Sequence, residues 1–354
     1  MTATPLALVR RSALATTAFA GAGRMLNRTL VLPVVIFSPT SRCNSRCLSC
    51  DWWKSDGADD LTFDEIAGVA DALPSLGTRV AVFSGGEPLL RADVFRIANL
   101  FRARDVRLHL LTSGLALERH AVDVARLFDR VVVSLDASTE ELYRAVRGVA
   151  GLSAVASGVA RLRALAPGMP VTARATLHRL NFRELPRLVD RARAMGLDGI
   201  SFLAADVASL AFGRQAPLLD ASGLLLDRDE IAEFAAVIER VIVECAGAFS
   251  SGFIAEPPDR LRRLVKYYAA AVGDAPFPRA RCNAPWVSVV VEANGAVRPC
   301  FFHPAVGNVR ERPLRELVTG ALAAFRRTLD VATNATCGTC VCSLNAGWRN
   351  APWQ

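Results

Sequence analysis

Three cysteines within eight residues, Cys43-Asn44-Ser45-Arg46-Cys47-Leu48-Ser49-Cys50, carry the strongest chemical signal in the chain. Thiolates at this C-x3-C-x2-C spacing can hold three irons of a [4Fe–4S] cubane and leave the fourth iron open. Structural zinc is the poorer reading, because it requires four ligands and no further Cys or His lies nearby. A second signal is Gly85-Gly86-Glu87-Pro88. Two glycines let backbone groups approach a ligand closely, and Glu87 offers a carboxylate to a positively charged amine. The remaining cysteines are Cys245, Cys282, Cys300, Cys337, Cys340 and Cys342, making nine in all. An odd count without a convincing export signal argues against a disulfide framework. Cys245, in the apolar run Ile242-Val243-Glu244-Cys245-Ala246, reads as a small buried hydrophobe.

These residues need a scaffold, and the sequence describes one. Short β-branched runs at Val34–Phe37, Val80–Phe83, Arg107–Leu111, Val131–Leu135, Val171–Leu177 and Ile200–Leu203 alternate with helical patterns. Strands joined by helical crossovers predict a parallel sheet covered on both faces, rolled into a barrel or a doubly wound layer. The polar motifs settle which ends matter. The cysteine triplet, Ser84–Pro88, Thr112-Ser113-Gly114 and Ser134-Leu135-Asp136 all follow strands directly. Such positions form the active face of α/β barrels. Beyond Cys282 the pattern changes to a strand over 286–292, an Ala293-Asn294-Gly295 turn and a return to Cys300.

Together the triplet, the Gly-Gly-Glu-Pro turn and the barrel pattern resemble the radical SAM superfamily over about residues 33–203. That resemblance implies a cluster on Cys43, Cys47 and Cys50, whose open iron is chelated by the amine and carboxylate of S-adenosylmethionine (SAM). Gly85, Gly86, Glu87 and Pro88 would hold the amine. Ser134 and Asp136 match the position that contacts the ribose and carboxylate region, and Arg147 matches an arginine that pairs with the carboxylate. Ser49 departs from the family pattern, which has an aromatic residue or His there; Trp52 or Trp53 would then stack on adenine. The tail, C-x12-G-x4-C from Cys282 to Cys300 and then Cys337-Gly338-Thr339-Cys340, is similar to the Twitch/SPASM extension. It implies an auxiliary [4Fe–4S] cluster on Cys282, Cys300, Cys337 and Cys340. Cys342 could replace Cys340 or donate a hydrogen atom, and four thiolates suit zinc as well.

The expected architecture is α/β: a partial (β/α)6 TIM-type barrel with a small C-terminal α+β Fe–S domain. Its parts are an N-terminal amphipathic extension over 1–32, the barrel over 33–204, a helical connector over 205–281 and the cluster domain over 282–354. The expected activity is reductive cleavage of SAM and hydrogen abstraction from a small molecule, cofactor precursor, lipid-linked compound or peptide. An external donor of flavodoxin or ferredoxin type would supply the electron. The rivals are an iron–sulfur electron carrier and a zinc-organised binding module. A formal charge of +8 is spread through amphipathic helices, and aromatic residues make up 7%, which excludes a nucleic-acid-tracking surface. The start of the chain, with Leu6, Val9, Leu14 and Phe19 among arginines, predicts a helix packed on the body, with lipid contact as the second reading. The expected location is cytoplasmic, with peripheral membrane contact as its variant.

Overall fold

The computed structural model describes residues 12–26, 29–218, 223–342 and 344–346. Leu6 and Val9 lie outside the described residues. Six parallel strands follow one another: β1 (Val34–Thr40), β2 (Val80–Gly85), β3 (Arg107–Thr112), β4 (Arg130–Ser134), β5 (Val171–Leu177) and β6 (Ile200–Ala204). The first helix is α1 (Ala13–Met25). The crossovers carry α2 (Phe63–Leu76), α3 (Val94–Arg102), α4 (Leu117–Leu127), α5 (Glu140–Arg147) with α6 (Leu152–Leu165), and α7 (Leu185–Ala194). Thr62 opens α2 with a capping box to Glu65, and Gly77 ends it in the left-handed region, so its boundaries are written locally.

The alternation along each strand separates two faces. Val35, Phe37, Ala81, Phe83, Leu108, Leu110, Val131, Val133, Ala173 and Phe202 point to the helices and form the main core. Phe37, Phe83 and Phe101 meet at ring-centroid distances of 5.2–5.5 Å. Intervening residues, among them Ile36, Val82, His109, Leu111, Val132 and Thr172, line the opposite, concave face and are only partly buried.

After β6 come α8 (Arg228–Glu244), α9 (Ala246–Ser250) and α10 (Pro258–Ala271), then a short α11 (Ala284–Val287). The hairpin β7 (Ser288–Val291) and β8 (Ala296–Arg298) and the short β9 (Gly307–Asn308) continue the same sheet, because β7 pairs in parallel with β1. The strand order is therefore β6-β5-β4-β3-β2-β1-β7-β8-β9, an open sheet. The C-terminal segment is thus joined to the barrel by its backbone ladder. Two helices follow, α12 (Leu314–Thr319) and α13 (Ala321–Thr328), separated at Gly320, and α14 (Ala335–Gly338) carries Cys337. Helix α1 closes the N-terminal end of the concave face: Ala20 packs with Val34, Val80 and Val287, with Phe19, Ile36 and Val82 alongside. No single described helix is long and apolar enough to cross a membrane.

Candidate active site

The cysteine loop leaves β1 and is held from three sides. From β2, the backbone N–H of Gly86 donates to Thr40 O (3.1 Å) and that of Glu87 to Arg42 O (2.7 Å). From α5, Arg147 O accepts the Arg46 N–H (2.7 Å) and Val146 O the Leu48 N–H (3.2 Å). Both contacts need glycine. A Cβ on Gly86 would collide with the Arg42 carbonyl, and one on Gly148, at φ 69°, would sit 2.5 Å from Arg46 O.

The third side was not legible as a site. The irregular segment after β6 crosses the loop, and Phe212 O accepts the Asp51 N–H (2.9 Å) and faces Cys50 Sγ at 3.6 Å. Arg214 has a fully buried side chain. It donates to Asp206 Oδ2 (2.8 Å), Asp206 O (2.7 Å) and Ser49 O (2.6 Å). Trp52 is packed against Gly213, within 3.1 Å of a Cβ there, while Trp53 is exposed with Lys54 above its ring.

Burial pushes the Cys43 thiol up to about 11 and the Cys50 thiol up to about 12, and the neighbouring thiols add to both. Cys47 is pushed up by burial as well. Three thiols brought within reach of one another's charge become thiolates only beside a cation, which is the donor set an iron–sulfur cluster requires.

The carboxylates near this loop are committed to the protein. Glu87 is fully buried. Its Oε1 accepts from Thr112 Oγ1 (2.8 Å) and the Leu89 N–H (3.1 Å), and its Oε2 accepts from the Ser113 N–H (2.6 Å). It thereby locks the Gly-Gly-Glu-Pro turn to the end of β3, while Gly85 and Gly86 remain partly exposed. Asp136 accepts from the Thr176 N–H (2.7 Å) and from Arg147 Nη1 (2.8 Å). Arg147 also reaches Ser45 Oγ at 3.4 Å, inside the cysteine loop, and its buried Nε has no partner. Ser134 stays partly exposed on the concave rim.

The tail cysteines, spread along the chain from 282 to 342, lie near enough to feel one another's charge. Among the described residues, however, no three Cys, His, Asp or Glu side chains close into a metal-ligand group. Cys282 senses the charge of Cys342 and Cys300, Cys300 that of Cys337 and Cys342, and Cys340 that of Cys342, Cys300 and Cys282. Burial pushes Cys282, Cys300 and Cys337 each up to about 11. Cys340 Sγ donates to Cys342 O (2.8 Å), and His303 Nε2 lies 3.3 Å from Cys337 Sγ. Asn283 pins the tail beside Cys282: it exchanges side-chain bonds with Ala346 (2.7 and 2.9 Å), and its N–H donates to Leu344 O (2.8 Å). The two cysteine groups touch through aromatic rings. Phe212 stacks on Phe301 at 6.2 Å and meets Phe302 edge-on at 6.1 Å, directly after Cys300.

An open, mostly parallel sheet with the cysteine loop at its C-terminal rim has the architecture of a partial-barrel enzyme. The profile of the radical SAM superfamily matches residues 37–192, and that of the SPASM iron–sulfur cluster-binding domain matches 282–341. The chain carries a radical SAM domain over residues 37–192 and a SPASM-type domain over 282–341; its cofactors are [4Fe–4S] clusters and SAM. It is 27% identical to the Fe-coproporphyrin III synthase of Methanosarcina barkeri over 81% of this chain and 73% of that protein. It is 26% identical to the AdoMet-dependent heme synthase of the same organism over 89% and 90%. The crystal structure of Streptococcus suis SuiB bound to S-adenosylmethionine shares the fold, with a TM-score of 0.65 at 13% identity over 93% of this chain and 76% of that one.

Proposed function

We propose that Cys43, Cys47 and Cys50 hold the SAM-binding cluster and that the enzyme cleaves SAM reductively to abstract hydrogen from a substrate on the concave face. When bound, the cluster and SAM supply a 5′-deoxyadenosyl radical, the chemistry that side chains cannot perform. The observation that carries this reading is the double clasp on the cysteine loop. The Gly-Gly-Glu-Pro turn and the end of α5 both hydrogen-bond its backbone, so cluster ligands and SAM-binding turns form one rigid rim.

Each residue then has a task. Gly85 and Gly86 present backbone polar groups at the partly exposed end of β2. Glu87 fixes that turn from beneath. Arg147, neutralised on one edge by Asp136, keeps its unpartnered Nε for an acceptor beside Cys47. Ser134 offers a hydroxyl from the end of β4. Cys282, Cys300 and Cys337, with Cys340 or Cys342, hold the auxiliary cluster. A flavodoxin- or ferredoxin-type protein supplies the electron. Of the relatives that match most of both chains, two are named Fe-coproporphyrin III synthase and AdoMet-dependent heme synthase and two are named PqqA peptide cyclase, which supports a cofactor precursor or a peptide as the substrate class.

Anaerobic reconstitution followed by reduction with dithionite in the presence of SAM tests the reading. Formation of 5′-deoxyadenosine by the wild type, and its loss in Cys43→Ala, is the expected result. A fully iron-loaded protein that forms none overturns it.

A further inference from the structure

The concave wall carries a charge that the cluster chemistry does not use. On its strands from β1 to β7 the positions facing away from the helices include Arg107, Arg130, Arg174 and His109, and no acidic residue. Arg107 and Arg130 open β3 and β4 at the end that α1 covers. Arg174 stands apart from them. It lies in the middle of β5, level in register with Ser134 on one side and Ser201 on the other. Its side chain is exposed, although the backbone around it is in the interior of the sheet.

A strand-centre arginine that faced protein would carry an ion pair. Among the described residues Arg174 has no ion pair within 4.0 Å: its one hydrogen bond runs from Nε to Ser201 Oγ at 3.2 Å, which orients the guanidinium and leaves the terminal nitrogens without a partner there. Its charge is felt by the Cys342 thiol and by the Glu256 carboxylate, which accepts from the Phe202 N–H at 3.0 Å. The guanidinium thus stands level with Ser134 at the end of β4, on the side of the sheet from which its charge reaches Cys342.

We propose that Arg174 anchors an anionic group of the substrate, a carboxylate or a phosphate, on the concave wall. This rests on the substrate occupying that face, as in the function proposed above. A guanidinium fork grips both oxygens of such a group, which a lysine could not do with equal geometry. Leu111 on β3, Val132 on β4 and Thr172 on β5 itself, all partly exposed, provide apolar and hydroxyl surface on the same face.

The test is phenylglyoxal labelling of the cluster-loaded wild-type chain, read site by site through peptide mass mapping. Three additions are compared at equal ionic strength: citrate, pyrophosphate and sodium chloride, each with and without SAM. Arg161 and Arg240, both exposed on helices, are the internal references. The expected result is that citrate or pyrophosphate slows labelling of Arg174 at least ~5-fold relative to the references, whereas chloride does not. Slowing by citrate alone assigns a carboxylate, and by pyrophosphate alone a phosphate. Equal slowing at all three arginines, or none at Arg174, overturns the proposal. Full protection by SAM alone also overturns it, because the anion would then be SAM's own carboxylate. Labelling requires no SAM cleavage, so its failure is separate from failure of the 5′-deoxyadenosine assay.

Discussion

At the residue scale, the site depends on a few atoms that cannot be enlarged or left unpaired. Gly86 has ordinary backbone angles; what forbids a side chain there is the Arg42 carbonyl against which it packs. Gly86→Ala should therefore displace the cysteine loop while the barrel still folds. Iron per chain should fall from about eight to about four, with loss of 5′-deoxyadenosine. Glu87 is the converse case, a buried acceptor for three donors. Glu87→Ala strands Thr112, Ser113 and Leu89 donors and should cost about 3 kcal/mol or more in denaturant unfolding. Glu87→Gln retains one acceptor oxygen and should lose less. The same geometry refines the role of this residue: the sequence marked it as a partner for an amine, whereas its carboxylate ties the turn to β3.

At the element scale, the segment after β6 does what no helix or strand pattern announces. Its backbone, through Phe212 O, supports Asp51 and Cys50, and its buried Arg214–Asp206 pair fastens it to Ser49. Removing one member leaves the other charge buried alone, so Arg214→Ala should destabilise the chain by about 3–5 kcal/mol. Its first cluster should also become labile, seen as faster iron loss to a chelator than in the wild type. Arg214→Lys should not restore cluster retention, since a single ammonium cannot span three acceptors on two segments. Helix α1 behaves as the sequence leads one to expect, with one face on the body. Ala20→Glu, set among Val34, Val80 and Val287, should lower the thermal midpoint.

At the scale of the whole molecule, one continuous sheet carries both cysteine groups, and Phe212 with Phe301 closes the gap between them. A Cys282→Ala/Cys300→Ala variant should lose about half of its iron and labile sulfide. It should keep the electron paramagnetic resonance signal of the first cluster. Acid sensitivity is also a property of the whole fold. Burial lowers His109 and His178 to about 4, and His178 Nδ1 accepts the Leu180 N–H at 3.3 Å, so both are neutral when folded. Unfolded imidazoles take up a proton near pH 6.5, so the unfolded chain binds more protons between about 6.5 and 4. Stability should be full above that window and decline through it as pH falls. His178→Asn should flatten the decline in denaturant midpoints measured from pH 7 to 4.5.

What the sequence determined by itself was the family resemblance and the frame. Cys43, Cys47 and Cys50 lie within one loop, so their spacing is legible as a ligand pattern, and the β-branched runs alternating with helical patterns announce six parallel strands with that loop at their C-terminal end. Local signals suffice when the interacting atoms are near in the chain. Only the tertiary structure decided what depends on atoms far apart. It continued the sheet through β7, turned the Glu87 and Asp136 carboxylates inward, and brought Arg214 to Ser49. It also brought the tail cysteines near enough to feel one another's charge, though no three of them close into a metal-ligand group among the described residues. Each of those outcomes follows from burial, which obliges a buried donor or acceptor to find a partner wherever the chain has folded one into place.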